Sequence, residues 1–110
     1  MDQKDIDLNI LQGNWSSVYT RMNITGTAAE ITFFRKFKYS SAILDEQTGM
    51  WKSKILRNLV WSEEGQMWGY PDVNGEKEIS ATSILINSDT NITILPANFY
   101  VSPYELTKLT

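Results

Sequence analysis

The chain predicts an all-β fold, an antiparallel up-and-down barrel of about eight strands behind a short N-terminal helical or 3₁₀ leader. Two observations carry that expectation. Short runs of period-two alternation follow one another at close spacing, separated by turn signals rich in Gly, Asn, Asp and Pro. The aromatic residues make up 12% of the sequence and include four tryptophans, a bias that suits half-buried pleated surfaces. A third feature sets the starting point: Gly13 breaks a short apolar leader, and Trp15 opens the first alternating run two residues later.

The leader Ile6 to Leu11 is mixed in period and ends at Gly13, so it is expected to form one turn of helix or 3₁₀ that caps a barrel end. A first strand follows, with Trp15, Ser17 and Tyr19 on one face and Ser16, Val18 and Thr20 on the other. Met22 to Ala29 contains Asn23, Thr25, Gly26 and Thr27 and is expected to be a connector. Glu30 to Phe37 is the second strand, placing Ile31, Phe33 and Phe37 on one face with Arg35 between them. A short strand over Ser41 to Leu44 leads into the turn Asp45 to Gly49. In Met50 to Trp61, Trp51, Ile55 and Leu59 recur at helical spacing, while Trp51, Ser53, Ile55, Arg57, Leu59 and Trp61 satisfy alternation. The neighbouring segments favour a strand broken near Arg57-Asn58.

Leu59 to Ser62 and Gln66 to Tyr70 flank a hairpin loop, Glu63-Glu64-Gly65, with Gly65 in the expected left-handed position. Pro71 to Gly75 is a further turn. Strands over Lys77 to Asn87 and Asn91 to Leu95 are joined by Ser88-Asp89-Thr90, and after Pro96-Ala97-Asn98 the chain ends in the segment Phe99 to Thr110. Pro96 and Pro103 remove ladder donors, so Leu95 to Pro103 should leave the regular sheet. A meander of this kind disposes of its edges by closing, and about eight strands leave an interior either filled by side chains or holding one small ligand.

At 110 residues the chain is expected to be one domain, residues 1–110. A formal charge of −3 with one short basic run, Arg35-Lys36-Phe37-Lys38, argues against a nucleic-acid partner, whose affinity comes from clustered cations. No window approaches the ~20 apolar residues of a membrane span, and the acidic start Met1 to Asp5 lacks signal-peptide character, so a cytoplasmic location is the simplest expectation. A mature secreted domain carrying an added Met1 would read the same. Neither His nor Cys occurs, which removes the commonest catalytic bases, nucleophiles and metal ligands. No enzyme activity, metal or cofactor is therefore expected.

Gly13-Asn14-Trp15 at the entry to the first strand of an up-and-down barrel resembles the signature of the lipocalin and calycin group. In that group the tryptophan plugs the closed end of the barrel, and a basic side chain near the end of the last strand packs over it. Tyr104-Glu105-Leu106-Thr107-Lys108 is similar to that final strand, with Lys108 where arginine is more usual. The resemblance implies a calycin-like barrel with Gly13, Trp15 and Lys108 as its barrel-end cluster, shorter than ordinary lipocalins. Staphostatins, bacterial inhibitors of cysteine proteases, are calycin-like barrels of about this size. Leu8 to Ser16 looks like their first-strand entry, and Leu95 to Pro103 falls where they carry the inhibitory loop. Their loop has a glycine followed by Thr-Ser; this chain has Tyr100-Val101-Ser102 and no glycine beyond Gly75.

Ligand pockets are mostly apolar with a few convergent polar groups, and the aromatic residues can either line one or fill a solid core. If a pocket exists, Phe33, Trp51, Trp61, Trp68 and Tyr100 are the candidate lining and Arg35 the candidate polar anchor. The expected function is a non-catalytic binding barrel for a small apolar or amphipathic ligand at its open end. The alternative is a protein-binding module, a protease inhibitor of staphostatin type, using exposed loops around a filled barrel.

Overall fold

A computed structural model of the chain describes residues 2–39, 41–71, 81–97 and 101–109. One helix precedes ten strands that form a curled antiparallel sheet in the order β4-β5-β3-β2-β1-β10-β9-β8-β7-β6. The helix, α1, spans Gln3–Leu11 and is longer than the single turn expected. Asp2 adds that extra length as an N-cap: its side chain accepts from the Asp5 backbone N–H at 3.3 Å. Gln12 then turns extended, and Gly13 adopts a φ of 115°, a conformation that side-chain-bearing residues rarely take. The chain thereby swings from helix into β1, Gly13–Ser16.

Two sequence expectations are corrected in this region. β1 stops at Ser16, and the segment expected as a connector contains β2, Thr20–Thr25. Thr20, Met22 and Ile24 are buried while Arg21, Asn23 and Thr25 face solvent, so the polar residues that suggested a turn are one face of a strand. The turn itself shrinks to Gly26, at φ 60°, and Thr27. β3 is Ala28–Arg35; Phe37 lies beyond its end and is 81% exposed, so it does not share the inner face with Ile31 and Phe33. Phe34 is buried on the outer face beneath the Arg21 guanidinium, 5.6 Å from its ring.

β4 (Ile43–Asp45), expected within Ser41 to Leu44, and β6 (Val60–Ser62), expected as the Leu59 to Ser62 arm of a hairpin, are short pieces at the two ends of the sheet, and with β2 added the strand number is ten instead of about eight. Met50 to Trp61 resolves in favour of alternation: β5 runs Met50–Asn58 and the chain breaks before β6. In the hairpin to β7 (Met67–Pro71), Gln66 rather than Gly65 takes the left-handed position, with φ 53°. β8 (Ala81–Ser88), β9 (Asn91–Leu95) and β10 (Tyr104–Lys108) complete the meander, and β10 pairs with β1. Lys77 to Ser80, the first part of the strand expected over Lys77 to Asn87, and most of the Pro71 to Gly75 turn lie outside the described residues.

β5 and β7 lie against each other without hydrogen-bond pairing, which leaves the curled sheet open along one seam. The core fills the concave side: Trp15, Met22, Ile24, Ile31, Ile84, Ile92, Ile94 and Leu106 are almost wholly buried, with Leu11 of α1 packed beneath them. The direction of each strand assigns the two ends. The 26–27, 59–66 and 89–90 connections sit at the α1 end, while 17–19, 36–42 and 96–97 sit at the other.

Candidate functional site

The α1 end is closed by aromatic side chains held by backbone carbonyls. Trp15 is fully buried; its indole Nε1 donates to the Leu11 carbonyl at 2.8 Å, one of the acceptors that a helix leaves unpaired at its C-terminus. Lys108 pairs in register with Trp15, lays its Nζ 5.1 Å from the indole centroid and donates to the Ile10 carbonyl at 2.9 Å. Its stem covers apolar surface while its charge caps the helix end. Gln12 clamps the same corner: its side-chain amide donates to the Gly26 carbonyl at 2.9 Å and accepts from the Gly26 N–H at 2.7 Å. Trp68 donates to the Lys4 carbonyl at 2.8 Å and meets Trp61 edge to face, with centroids 5.6 Å apart.

The opposite end opens into a cavity of about 860 Å³. Its wall among the described residues is apolar for the most part, formed by Phe33, Ile55, Ile94, Pro71 and Pro96, with Val18, Phe37 and Val101 at the rim. Hydroxyls of Ser17, Thr20, Thr82, Tyr70 and Tyr104 interrupt it, and Arg35, Lys36 and Arg57 bring positive charge. The strands place these groups by alternation. Phe33 and Arg35 follow Ile31 on the inner face of β3; Arg57 follows Ile55 on the inner face of β5, in register with buried Ala29.

Arg35 stands at the rim with its Nη1 engaged. Nη1 donates to the Phe34 carbonyl at 2.8 Å and reaches the Tyr19 carbonyl at 3.4 Å, while the guanidinium lies 5.6 Å from the Phe33 ring. Tyr39 fastens the segment after β3 across the inner face: its hydroxyl donates to the Phe33 carbonyl at 3.3 Å and meets Ser53 Oγ at 2.6 Å. Arg57 sits deeper. Its Nη1 donates to the Leu56 carbonyl at 2.7 Å, and its Nη2 is buried with no hydrogen-bond partner among the described residues. Across the open seam, burial holds the Tyr70 phenol well above its ordinary value; neighbouring Tyr104 adds to that, while the Thr82 hydroxyl and the Arg57 charge oppose it. Burial likewise raises Tyr104, against hydrogen bonding from Thr20 and Tyr70 and the charge of Arg35. Both phenols therefore stay neutral donors through the physiological range.

Of the residues predicted to line a pocket, Phe33 and Arg35 do so. Trp61 and Trp68 are corrected to the α1 end, and Trp51, half-buried under the Lys38 ammonium 5.6 Å from its ring, lies outside the cavity wall. Tyr100, and with it Phe99, falls outside the described residues. Gly13, Trp15 and Lys108 come together as one cluster. The sequence reading missed Arg57, Tyr70 and Tyr104. The alternation that put Arg57 on a face with Ile55 was its only signal, and an arginine on an inner face contradicts the usual preference of charges for solvent.

No protein-family model, curated protein or solved structure matches the chain. Among the described residues no helix is long and apolar enough to cross a membrane, and no group of acidic residues could hold a metal ion.

Proposed function

We propose that the protein is a non-catalytic binding barrel of calycin-like type that takes a small apolar or amphipathic ligand through its open end. The observation that carries this reading is the cavity. Its volume of about 860 Å³ falls in the ~300–1,000 Å³ range of small-molecule sites, and its largely apolar wall with a few inward polar groups has their usual make-up. The rim adds to it. Val18 at 73%, Phe37 at 81% and Val101 at 47% exposure leave apolar surface at the entrance, where a ligand would cover it.

The competing reading, a protease-inhibiting module using Leu95 to Pro103, expected a filled barrel. Residues 98–100 at its centre lie outside the described residues.

Titration with the neutral dye Nile red tests the proposal. Saturable one-to-one binding is expected, weakened at least tenfold, or about 1.4 kcal/mol, in a Thr82→Trp variant whose indole fills the cavity. Absence of saturable binding to protein with native circular dichroism would overturn the reading.

A further inference from the structure

The basic run Arg35-Lys36-Phe37-Lys38, which ligand binding leaves unused, sits at one corner of the open end. β3 stops at Arg35, so the residues after it leave the sheet and Phe37 presents its ring to solvent. The connection from β1 to β2 is tied to the same corner: the Tyr19 carbonyl accepts from the Phe34 N–H at 2.8 Å and from Arg35 Nη1 at 3.4 Å. Val18, in that connection, is exposed as well. Apolar side chains held in water at positions the backbone fixes point to a partner that covers them.

The charges around them say what kind of partner. From Asn14 to Leu44 the chain carries the cations Arg21, Arg35, Lys36 and Lys38 and a single acid, Glu30. Glu30 lies toward the α1 end of β3, where it meets Lys54 Nζ at 3.2 Å. The next acids in the chain are Asp45, engaged by Lys52 at 3.4 Å and by the Thr48 hydroxyl at 2.7 Å, and Glu46 in the turn that follows. All four cations are exposed, and Arg21, Arg35 and Lys38 each lie 5.6 Å from a ring, of Phe34, Phe33 and Trp51 respectively. Their stems thus cover apolar surface while the charged heads stay wet, as at a membrane interface. Asp2, Asp5, Asp7, Glu63, Glu64 and Asp89 belong to the opposite, α1 end.

We propose that this corner docks the protein on an anionic bilayer surface, with Phe37 and Val18 entering the interface and Arg21, Arg35, Lys36 and Lys38 among the lipid headgroups. Each cation close to such a surface raises partition roughly fivefold. Screening confines that attraction to about 10 Å at 0.1 M salt, so the corner decides it and not the formal charge of −3 on the whole chain. Docking of this kind does not need the cavity and stands apart from the ligand-binding reading.

Co-sedimentation with vesicles of phosphatidylcholine alone and of phosphatidylcholine with phosphatidylserine, about two to one, tests the proposal at about 0.1 M salt. The native protein should partition at least tenfold more strongly onto the serine-containing vesicles and come off them at about 1 M salt. Lys36→Gln combined with Lys38→Gln should weaken that partition about tenfold or more, and Phe37→Ser should weaken it several-fold, each with native circular dichroism. Thr82→Trp, which fills the cavity, should sediment as the native protein does, so the two readings fail separately. Absence of sedimentation, or equal sedimentation with both vesicles, overturns the bilayer assignment. Partition unchanged in the double lysine variant places the surface elsewhere and overturns it too. Partition that responds to the lysines but not to Phe37→Ser, and that heparin abolishes, shows a general polyanion site and likewise overturns it.

Discussion

Replacing Trp15 with alanine tests the closed end of the barrel most directly. The side chain is wholly buried between α1 and strands β2 and β10, so its removal opens a cavity bounded by Leu11, Met22 and the Lys108 stem. Emptying a large buried aromatic site costs about 3–5 kcal/mol. Two further losses act in the same direction: the Leu11 carbonyl gives up its 2.8 Å bond from Nε1, and the Lys108 ammonium gives up the ring 5.1 Å away. Each of these is worth about 1 kcal/mol. A total near 5–7 kcal/mol is a large part of the ~5–15 kcal/mol that holds a small domain folded. Urea denaturation followed by circular dichroism reads the loss as a lower midpoint at similar slope. Trp15→Phe, which keeps most of the apolar volume but not the N–H, should lose about 1–3 kcal/mol. The half-buried Trp51 provides the control, with a loss on the order of 1 kcal/mol for Trp51→Ala. A loss below about 1 kcal/mol for Trp15→Ala, or equal losses at positions 15 and 51, would refute the view that α1 is anchored through this indole.

Gly69→Ala should destabilise by more than the ~1 kcal/mol typical of point substitutions, because an added Cβ runs into the Thr82 carbonyl of paired β8; a thermal midpoint equal to that of the native protein would contradict this packing. Stability should also fall in alkali. Folding holds the Tyr70 and Tyr104 phenols above their ordinary value, so their contribution is complete below about pH 10 and is lost as pH rises further. Urea midpoints measured at about pH 9 and about pH 11 should show that fall, and Tyr70→Phe should lessen it; an unchanged fall assigns it to other groups. Phe37→Ser should change stability by no more than about 0.5 kcal/mol, since the ring is 81% exposed, while weakening capture of Nile red in the titration described above.

Local pattern determined much of this protein. Asn91–Leu95 has the predicted bounds because isoleucine alternates there with polar residues after a clear turn signal. Gly13 marked the corner because its φ of 115° is a property of one residue and its neighbours. Pattern failed where the same residues serve two structures. Asn23 and Thr25 have turn chemistry, but in β2 they are the wet face of a strand whose dry face is Met22 and Ile24. The three-residue strands β4 and β6, expected within Ser41 to Leu44 and Leu59 to Ser62, pair with the edges that β5 and β7 offer.

The site depended still more on the tertiary structure. Sequence identifies aromatic residues as apolar surface but not whether they close a barrel or line it. Trp61 and Trp68 went to the α1 end because the Lys4 carbonyl accepts the Trp68 N–H there, a contact across most of the chain. Arg57, Tyr70 and Tyr104 come from three strands and meet only because the sheet curls until β5 faces β7. How far an arginine is buried is a property of everything around it, and the surroundings of Arg57 are assembled by strand pairing and curvature rather than by its neighbours in the chain.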